Sequence, residues 1–126
     1  MNNNKILLYA VATAAVCTFI AGVLHLAIVP MFFMQMSTDV TIFFIVSGIV
    51  QIFWIIPVIK RWDNLWYYIG IGGTAILIIM WFVAVPGSGY PINILYISIE
   101  IFQITFIILC YFVITKRKKL MKKPIC

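Results

Sequence analysis

The side chains with the widest chemical range in this sequence are one histidine and one acidic residue, each within an apolar stretch. His25, the only histidine of the 126 residues, lies in AGVLHLAIVP, and Glu100 lies in YISIEIFQITF. A carboxylate at the centre of a membrane is disfavoured by about 2.5–3.5 kcal/mol on insertion scales, so Glu100 requires a partner or a proton. The sequence predicts a buried polar cluster of His25, Gln51, Glu100 and Gln103.

Two interpretations of this cluster stay open. With about 1.5 Å of rise per helical residue, His25 and Glu100 fall within one turn of each other in depth, which predicts a contact between them. That contact either fixes the register of the helices or serves proton transfer or ligand sensing. One histidine and one carboxylate fall short of the three or four protein ligands usual for zinc.

Three methionines follow His25 in the stretch PMFFMQM. Met31, Met34 and Met36 carry soft thioether donors that suit copper. Methionine is also a common apolar packing residue, and at helical spacing Met31 and Met34 share a face that excludes His25. The sequence therefore assigns no metal site to this chain and leaves the three methionines as copper candidates.

The elements that hold these residues are membrane spans. The chain is 65% hydrophobic and 10% charged, against roughly 45–50% and 25% in soluble domains. Apolar segments at 6–33, 40–59, 65–85 and 93–115 are each long enough to cross a bilayer, and the first exceeds the apolar region of a secretory signal. We expect an all-α, polytopic membrane protein, a single four-transmembrane-helix antiparallel bundle.

Basic residues set the expected orientation. Lys5, Lys60 and Arg61 share one side of the predicted bundle with a basic tail at 116–126, formed by Lys116, Arg117, Lys118, Lys119, Lys122 and Lys123. The positive-inside tendency places both termini in the cytoplasm, at the plasma membrane. The tail is expected to attract anionic headgroups at about 1 kcal/mol per residue. It lacks base-stacking aromatics, so no nucleic-acid partner is expected.

Helical spacing predicts one polar or small face on each span, directed into the bundle. The face of the first span is Ala14, Thr18, Ala21 and His25, and that of the second is Phe44, Ser47, Gln51 and Trp54. The face of the third span is Gly70, Gly73, Thr74 and Leu77, and that of the fourth is Tyr96, Glu100, Gln103, Ile107 and Cys110.

Local signals predict the ends of the spans. Pro30 is expected to bend the first span. Thr38 or Asp39 is expected to cap the second. The stretch PGSGYPIN at 86–93 predicts a loop. An aromatic belt is expected from Trp62, Trp66, Tyr67 and Tyr68.

Three sequence features suggest a family. The chain has a histidine before a proline in its first span, then Gly-x-x-Gln-x-x-Trp-x-x-Pro and Trp-Tyr-x-Ile-Gly-Ile-x-Gly-Thr. Over about the first three spans it resembles the small four-span membrane proteins of ammonia-oxidising archaea. The matching residues are His25, Pro30, Gly48, Gln51, Trp54, Pro57, Trp66, Tyr67, Gly70, Gly73 and Thr74. The resemblance implies an accessory subunit of archaeal ammonia monooxygenase, with copper and catalysis in partner subunits.

The residues themselves favour a non-catalytic chain, because no catalytic set can be assembled from one buried histidine and one buried acid. We therefore expect an accessory or structural subunit of a membrane oxidoreductase complex, without a cofactor of its own and surrounded by other integral membrane subunits and lipid. The alternative is a small transporter or proton-linked channel that uses Glu100 and His25.

Overall fold

The chain folds into a bundle of helices in a computed structural model that describes residues 2–87 and 92–122. The helices are α1 (Asn3–Phe32), α2 (Thr38–Phe53), α3 (Ile55–Ile59), α4 (Asn64–Gly87) and α5 (Ile94–Met121), and a 3-10 turn follows α1 at Phe33–Gln35. Four segments of the described chain are long and apolar enough to cross a membrane, namely Asn3–Gln35, Thr38–Ile59, Asn64–Val83 and Ile94–Met121. The predicted four-span, all-α class is confirmed.

α1 and α5 form the central pair of the bundle. α1 packs against both α5 and α2, whereas α4 packs mainly against α5. As a result, 50% of the membrane segment of α1 is buried by the rest of the protein, compared with 22% for α4. Leu7, Val58 and Leu120 meet in one apolar cluster, so the beginning of α1, the α3–α4 turn and the end of α5 share one end. We call this the basic end, since it carries Lys5, Arg61 and Arg117.

Side-chain caps and prolines explain where the helices begin and break. Ser37, and not the predicted Thr38 or Asp39, caps α2, because its extended backbone lets Oγ accept from the Val40 amide at 3.4 Å. The second span breaks at Trp54, where the ring of Pro57 clashes with the preceding turn. At Pro30 the helix continues and ends only at Phe32, before the 3-10 turn.

One predicted loop differs from the structure, and one helix continues beyond its predicted span. α5 extends past the apolar segment at 93–115 and reaches Met121, so Lys116 to Lys119 of the basic tail are helical. The loop predicted at 86–93 begins later, because Pro86 and Gly87 are the last residues of α4. Residues 88–91, and Lys123 of the predicted basic tail, lie outside the described residues.

α1 and α2 cross closely at two glycines. A Cβ added to Gly22 would lie 2.9 Å from the carbonyl oxygen of Gly48, and one added to Gly48 would lie 2.8 Å from that of Gly22. One turn away, the Thr18 hydroxyl donates to the backbone carbonyl of Gln51 at 3.0 Å. Small residues at a membrane helix interface allow this approach, which brings His25 and Gln51 together.

Candidate functional site

A layer of polar side chains lies across the middle of the bundle, between two apolar clusters. The polar layer consists of Thr18, His25, Ser47, Gln51, Thr74, Glu100 and Gln103, all buried. The buried core of the basic-end cluster is Leu7, Ala10, Val11, Ala14, Ala15, Cys17, Val58, Tyr67, Phe106, Cys110, Val113 and Ile114. That of the opposite-end cluster is Ile28, Phe44, Trp81, Tyr96 and Ile99.

All seven residues of the polar layer belong to the inward faces predicted from helical spacing. The predicted inward faces are buried on α1, and on α2 and α5 except for the half-buried Trp54 and Ile107. On α4, Gly70 and Thr74 are buried as expected, but Gly73 is exposed. The four predicted cluster residues, His25, Gln51, Glu100 and Gln103, have exposed fractions of 3%, 4%, 7% and 1%.

His25 is held by α1 and α2. Its Nδ1 lies 2.8 Å from the carbonyl oxygen of Ala21, and because a carbonyl only accepts, Nδ1 carries the proton and donates. Nε2 is then the acceptor of the ring, and the side chain of Gln51 lies beside the imidazole. The ring also tilts against Phe44, with 5.6 Å between centroids. The imidazole is therefore enclosed by residues of the α1–α2 pair.

Gln51 ties α2 to α1. Its side chain lies beside the imidazole of His25, and its Oε1 is buried without a hydrogen-bond partner. Its backbone carbonyl accepts from the Thr18 hydroxyl. Both the backbone and the side chain of Gln51 therefore face α1.

Glu100 does not pair with His25. No hydrogen bond or ion pair joins them within the described part of the chain, and Oε2 of Glu100 is buried without a partner. The predicted contact is therefore absent, because equal depth does not fix the direction in which a side chain leaves its helix. The carboxyl group belongs to the α5 side of the layer.

Gln103 lies one turn from Glu100 on the same buried face of α5. Neither Oε1 nor Nε2 of its amide has a hydrogen-bond partner. A buried polar group without a hydrogen-bond partner costs about 1–3 kcal/mol. The unpaired atoms of this layer therefore lower the free energy of unfolding. The arrangement offers donors and acceptors for hydrogen bonding but no nucleophile and base in contact.

The methionines that are copper candidates lie in different surroundings. Met31 and Met34 are exposed, with Met34 at 93%, whereas Met36 packs against the opposite-end cluster. The described residues contain no group of three or more histidine, cysteine or acidic side chains that could hold a metal ion. Copper binding by the three thioethers stays a prediction.

The predicted basic tail is partly engaged within the protein. Arg117 Nη1 donates to the carbonyl of Trp62 at 2.8 Å and Nη2 to that of Arg61 at 3.3 Å. Lys118 Nζ donates to the Tyr68 hydroxyl at 2.9 Å. Lys116 lies over the Phe112 ring at 5.6 Å, whereas Lys119 and Lys122 are exposed. Headgroup binding is thus left mainly to the exposed lysines, and it stays a prediction.

Sequence reasoning missed the contacts made by glycine and tryptophan. A Cβ on Gly70 would lie 2.6 Å from Nε1 of Trp54, so the indole rests directly on the backbone of α4. The Trp54 and Trp66 rings are 5.8 Å apart. A large ring opposite a glycine on a neighbouring span is a detectable signal, but it requires knowing which helices are neighbours.

Comparison with known proteins identifies no relative. No protein-family model, curated protein or solved structure matches the chain.

Proposed function

We propose that this chain is a non-catalytic accessory subunit of a larger membrane complex, with α4 as the helix that packs against a partner subunit. The observation that carries the proposal is a glycine in the middle of the outward face of α4. Gly72 is exposed, and an added Cβ there would meet no heavy atom within 4 Å.

Large apolar side chains surround this glycine. The α4 outer stripe recurs at steps of four and three residues and consists of Leu65, Ile69, Gly72, Ile76, Ile79 and Val83, all exposed. A helix that faces only lipid gains nothing from a notch in such a stripe. A second helix gains close backbone contact there, since packing rather than hydrophobic burial drives association within a bilayer.

The proposal identifies the complex as an oxidoreductase. The chain resembles the small four-span membrane proteins of ammonia-oxidising archaea, and this resemblance implies an accessory subunit of archaeal ammonia monooxygenase. Several residues that carry this resemblance occupy packing positions. Gly48 lies at the α1–α2 crossing, Gly70 lies under Trp54, and Pro57 breaks the second span. This supports a scaffolding chain, with copper and catalysis assigned to partner subunits.

The experiment is purification of the tagged chain from native membranes in a mild detergent, followed by native gels and identification of copurifying subunits. We expect comigration with larger membrane proteins, including subunits of a copper oxidoreductase. Migration as a free monomer or small homo-oligomer would overturn the accessory function.

A pair of variants tests the surface. Gly72→Leu fills the notch of the α4 outer stripe and should abolish comigration. Ala12→Leu places the same side chain at an exposed position of α1 and should leave comigration intact. Equal behaviour of the two variants would reject α4 as the contact helix.

The second candidate function is a small transporter or proton-linked channel. The buried polar atoms of Glu100 and Gln103 without partners favour it, since polar groups in membrane spans mark many ion pathways. Against it, apolar clusters close both sides of the polar layer. Proton flux through the reconstituted chain that is lost in Glu100→Gln would establish this function, and absence of flux would reject it.

We also propose the plasma membrane as the location, with both termini cytoplasmic. Cys17 and Cys110 are buried, so Cys126 is the thiol expected to react with a membrane-impermeant maleimide. Labelling should occur in inverted vesicles and be blocked in intact cells. The reverse pattern would overturn the orientation.

A further inference from the structure

A cavity of about 260 Å³ lies between α2 and α4, beside the polar layer. α2 and α4 form its two walls, and Thr18 of α1 and Phe106 of α5 close its floor. Gly73 lines it from α4 and is exposed, so the cavity opens sideways in the plane of the membrane. It borders the α4 outer stripe at Ile69, whereas Gly72 does not line it.

Glycines create this space. The ring of Trp54 also lines the cavity and lies on Gly70, where any side chain would collide with the indole. An added Cβ on Gly73 would meet no heavy atom within 4 Å, so its missing side chain leaves room. The remaining wall is largely aliphatic, with residues such as Val50 and Leu77.

Two buried polar atoms of lining residues lack partners. Oε1 of Gln51 is an acceptor and Nε1 of Trp54 is a donor, and neither makes a hydrogen bond. They belong to residues three positions apart in the second span, and both residues line the cavity. A hydroxyl both donates and accepts, so it is the small group whose chemistry matches this pair of atoms.

We propose that this cavity binds a small neutral molecule with an apolar chain and one hydroxyl group. An apolar cavity of about 150 Å³ holds benzene, so this one has room for an alkanol of about six to ten carbons. The inference does not depend on the accessory function, because the site is formed by this chain alone.

The test uses the full chain in lipid nanodiscs and an octanol that carries a photoreactive diazirine, compared with the matching diazirine octane. Adducts are mapped by mass spectrometry. We expect the alkanol to label residues that line the cavity, in competition with excess 1-octanol. The alkane should label the lipid-facing surface without such saturation.

Variants separate the cavity from the surrounding lipid surface. Gly73→Leu should fill the cavity and remove the saturable labelling, whereas Gly72→Leu, its neighbour outside the cavity, should retain it. Val50→Phe fills the same space from α2 and replaces Gly73→Leu if that variant does not fold. Gln51→Leu and Trp54→Phe should each reduce the preference for the alkanol over the alkane by about two- to tenfold, the loss of one hydrogen bond.

Equal, unsaturable labelling of the cavity by alkanol and alkane would mean that lipid chains fill it, and would overturn the proposal. Labelling that survives in both cavity-filling variants would overturn it as well. Neither result bears on comigration with partner subunits, so the two proposals fail independently.

Discussion

Gly22 and Gly48 touch backbone to backbone where α1 crosses α2. The three atoms nearest to a Cβ built on either glycine include the carbonyl oxygen of the other, at 2.9 Å from Gly22 and 2.8 Å from Gly48. Backbone atoms of packed helices cannot yield as the end of a flexible side chain can. This crossing is therefore the point at which the α1–α2 pair has no room for any side chain.

Gly48→Ala and Gly22→Ala should each lower the free energy of unfolding by about 1–3 kcal/mol, because the helices must separate to admit the methyl group. Unfolding in bicelles by steric trapping measures this loss. Gly72→Ala is the control, since its Cβ would enter open space. Its stability should be unchanged or rise by up to about 1 kcal/mol. Equal losses in all three variants would show that the crossing is not tight.

His25 should be energetically coupled to Gln51 and not to Glu100. A double-mutant cycle of His25→Ala with Gln51→Leu should give a coupling of about 0.6 kcal/mol and at most about 1.7 kcal/mol, the average and the largest values found for polar contacts between helices of a membrane protein. The cycle of His25→Ala with Glu100→Gln should be additive within about 0.5 kcal/mol. A larger coupling in the second cycle would mean that His25 and Glu100 are in contact, as the sequence predicted.

The neighbour of His25 is Gln51 and not Glu100, and this outcome shows which features of the fold a single sequence can predict. Length and apolarity predict the four spans, and helical spacing predicts the inward faces of α1, α2 and α5, because both are properties of one helix at a time. Which face meets which neighbour depends on how the helices are rotated against each other. His25 and Glu100 match in depth, but the Gly22–Gly48 crossing brings Gln51 to the histidine instead.

The aromatic belt illustrates the same limit at the basic end. Trp62 and Tyr68 are exposed as expected for an interface. Tyr67 is only 1% exposed and belongs to the basic-end cluster, since its hydroxyl reaches the carbonyl of Val58 at 2.9 Å. The position of aromatic residues at the end of a span predicts that they lie near the membrane surface. It does not predict which of their side chains is buried in the bundle. That choice depends on the α3–α4 turn.

Tyr67→Phe should lower the free energy of unfolding by about 0.5–1.5 kcal/mol, because it removes the hydrogen bond to Val58 while leaving the ring in place. Tyr68→Phe is the matched control. It removes an exposed contact with Lys118 and should change stability by less than about 0.5 kcal/mol. Chemical unfolding in detergent micelles compares the two. A Tyr68→Phe loss as large as that of Tyr67→Phe would contradict the burial of the Val58 bond.

Arg117 should hold the α3–α4 turn closed. Its guanidinium binds the carbonyls of Arg61 and Trp62 at the end of α3, where Arg61 has a positive φ of 51°. A non-glycine residue in this conformation is strained, so the turn needs outside contacts to persist. Arg117→Ala should open the turn, and Arg117→Lys should rescue it only in part because an ammonium group lacks the planar fork of donors.

Limited trypsin digestion in detergent measures this opening as the rate of cleavage after Arg61. Arg117→Ala should raise the rate by about tenfold if the two hydrogen bonds together contribute about 1.4 kcal/mol to closing the turn. Lys119→Ala removes an exposed charge two residues further along the same helix and should leave the rate unchanged. Equal acceleration in both variants would mean that the overall charge of α5, and not the Arg117 contacts, protects the turn.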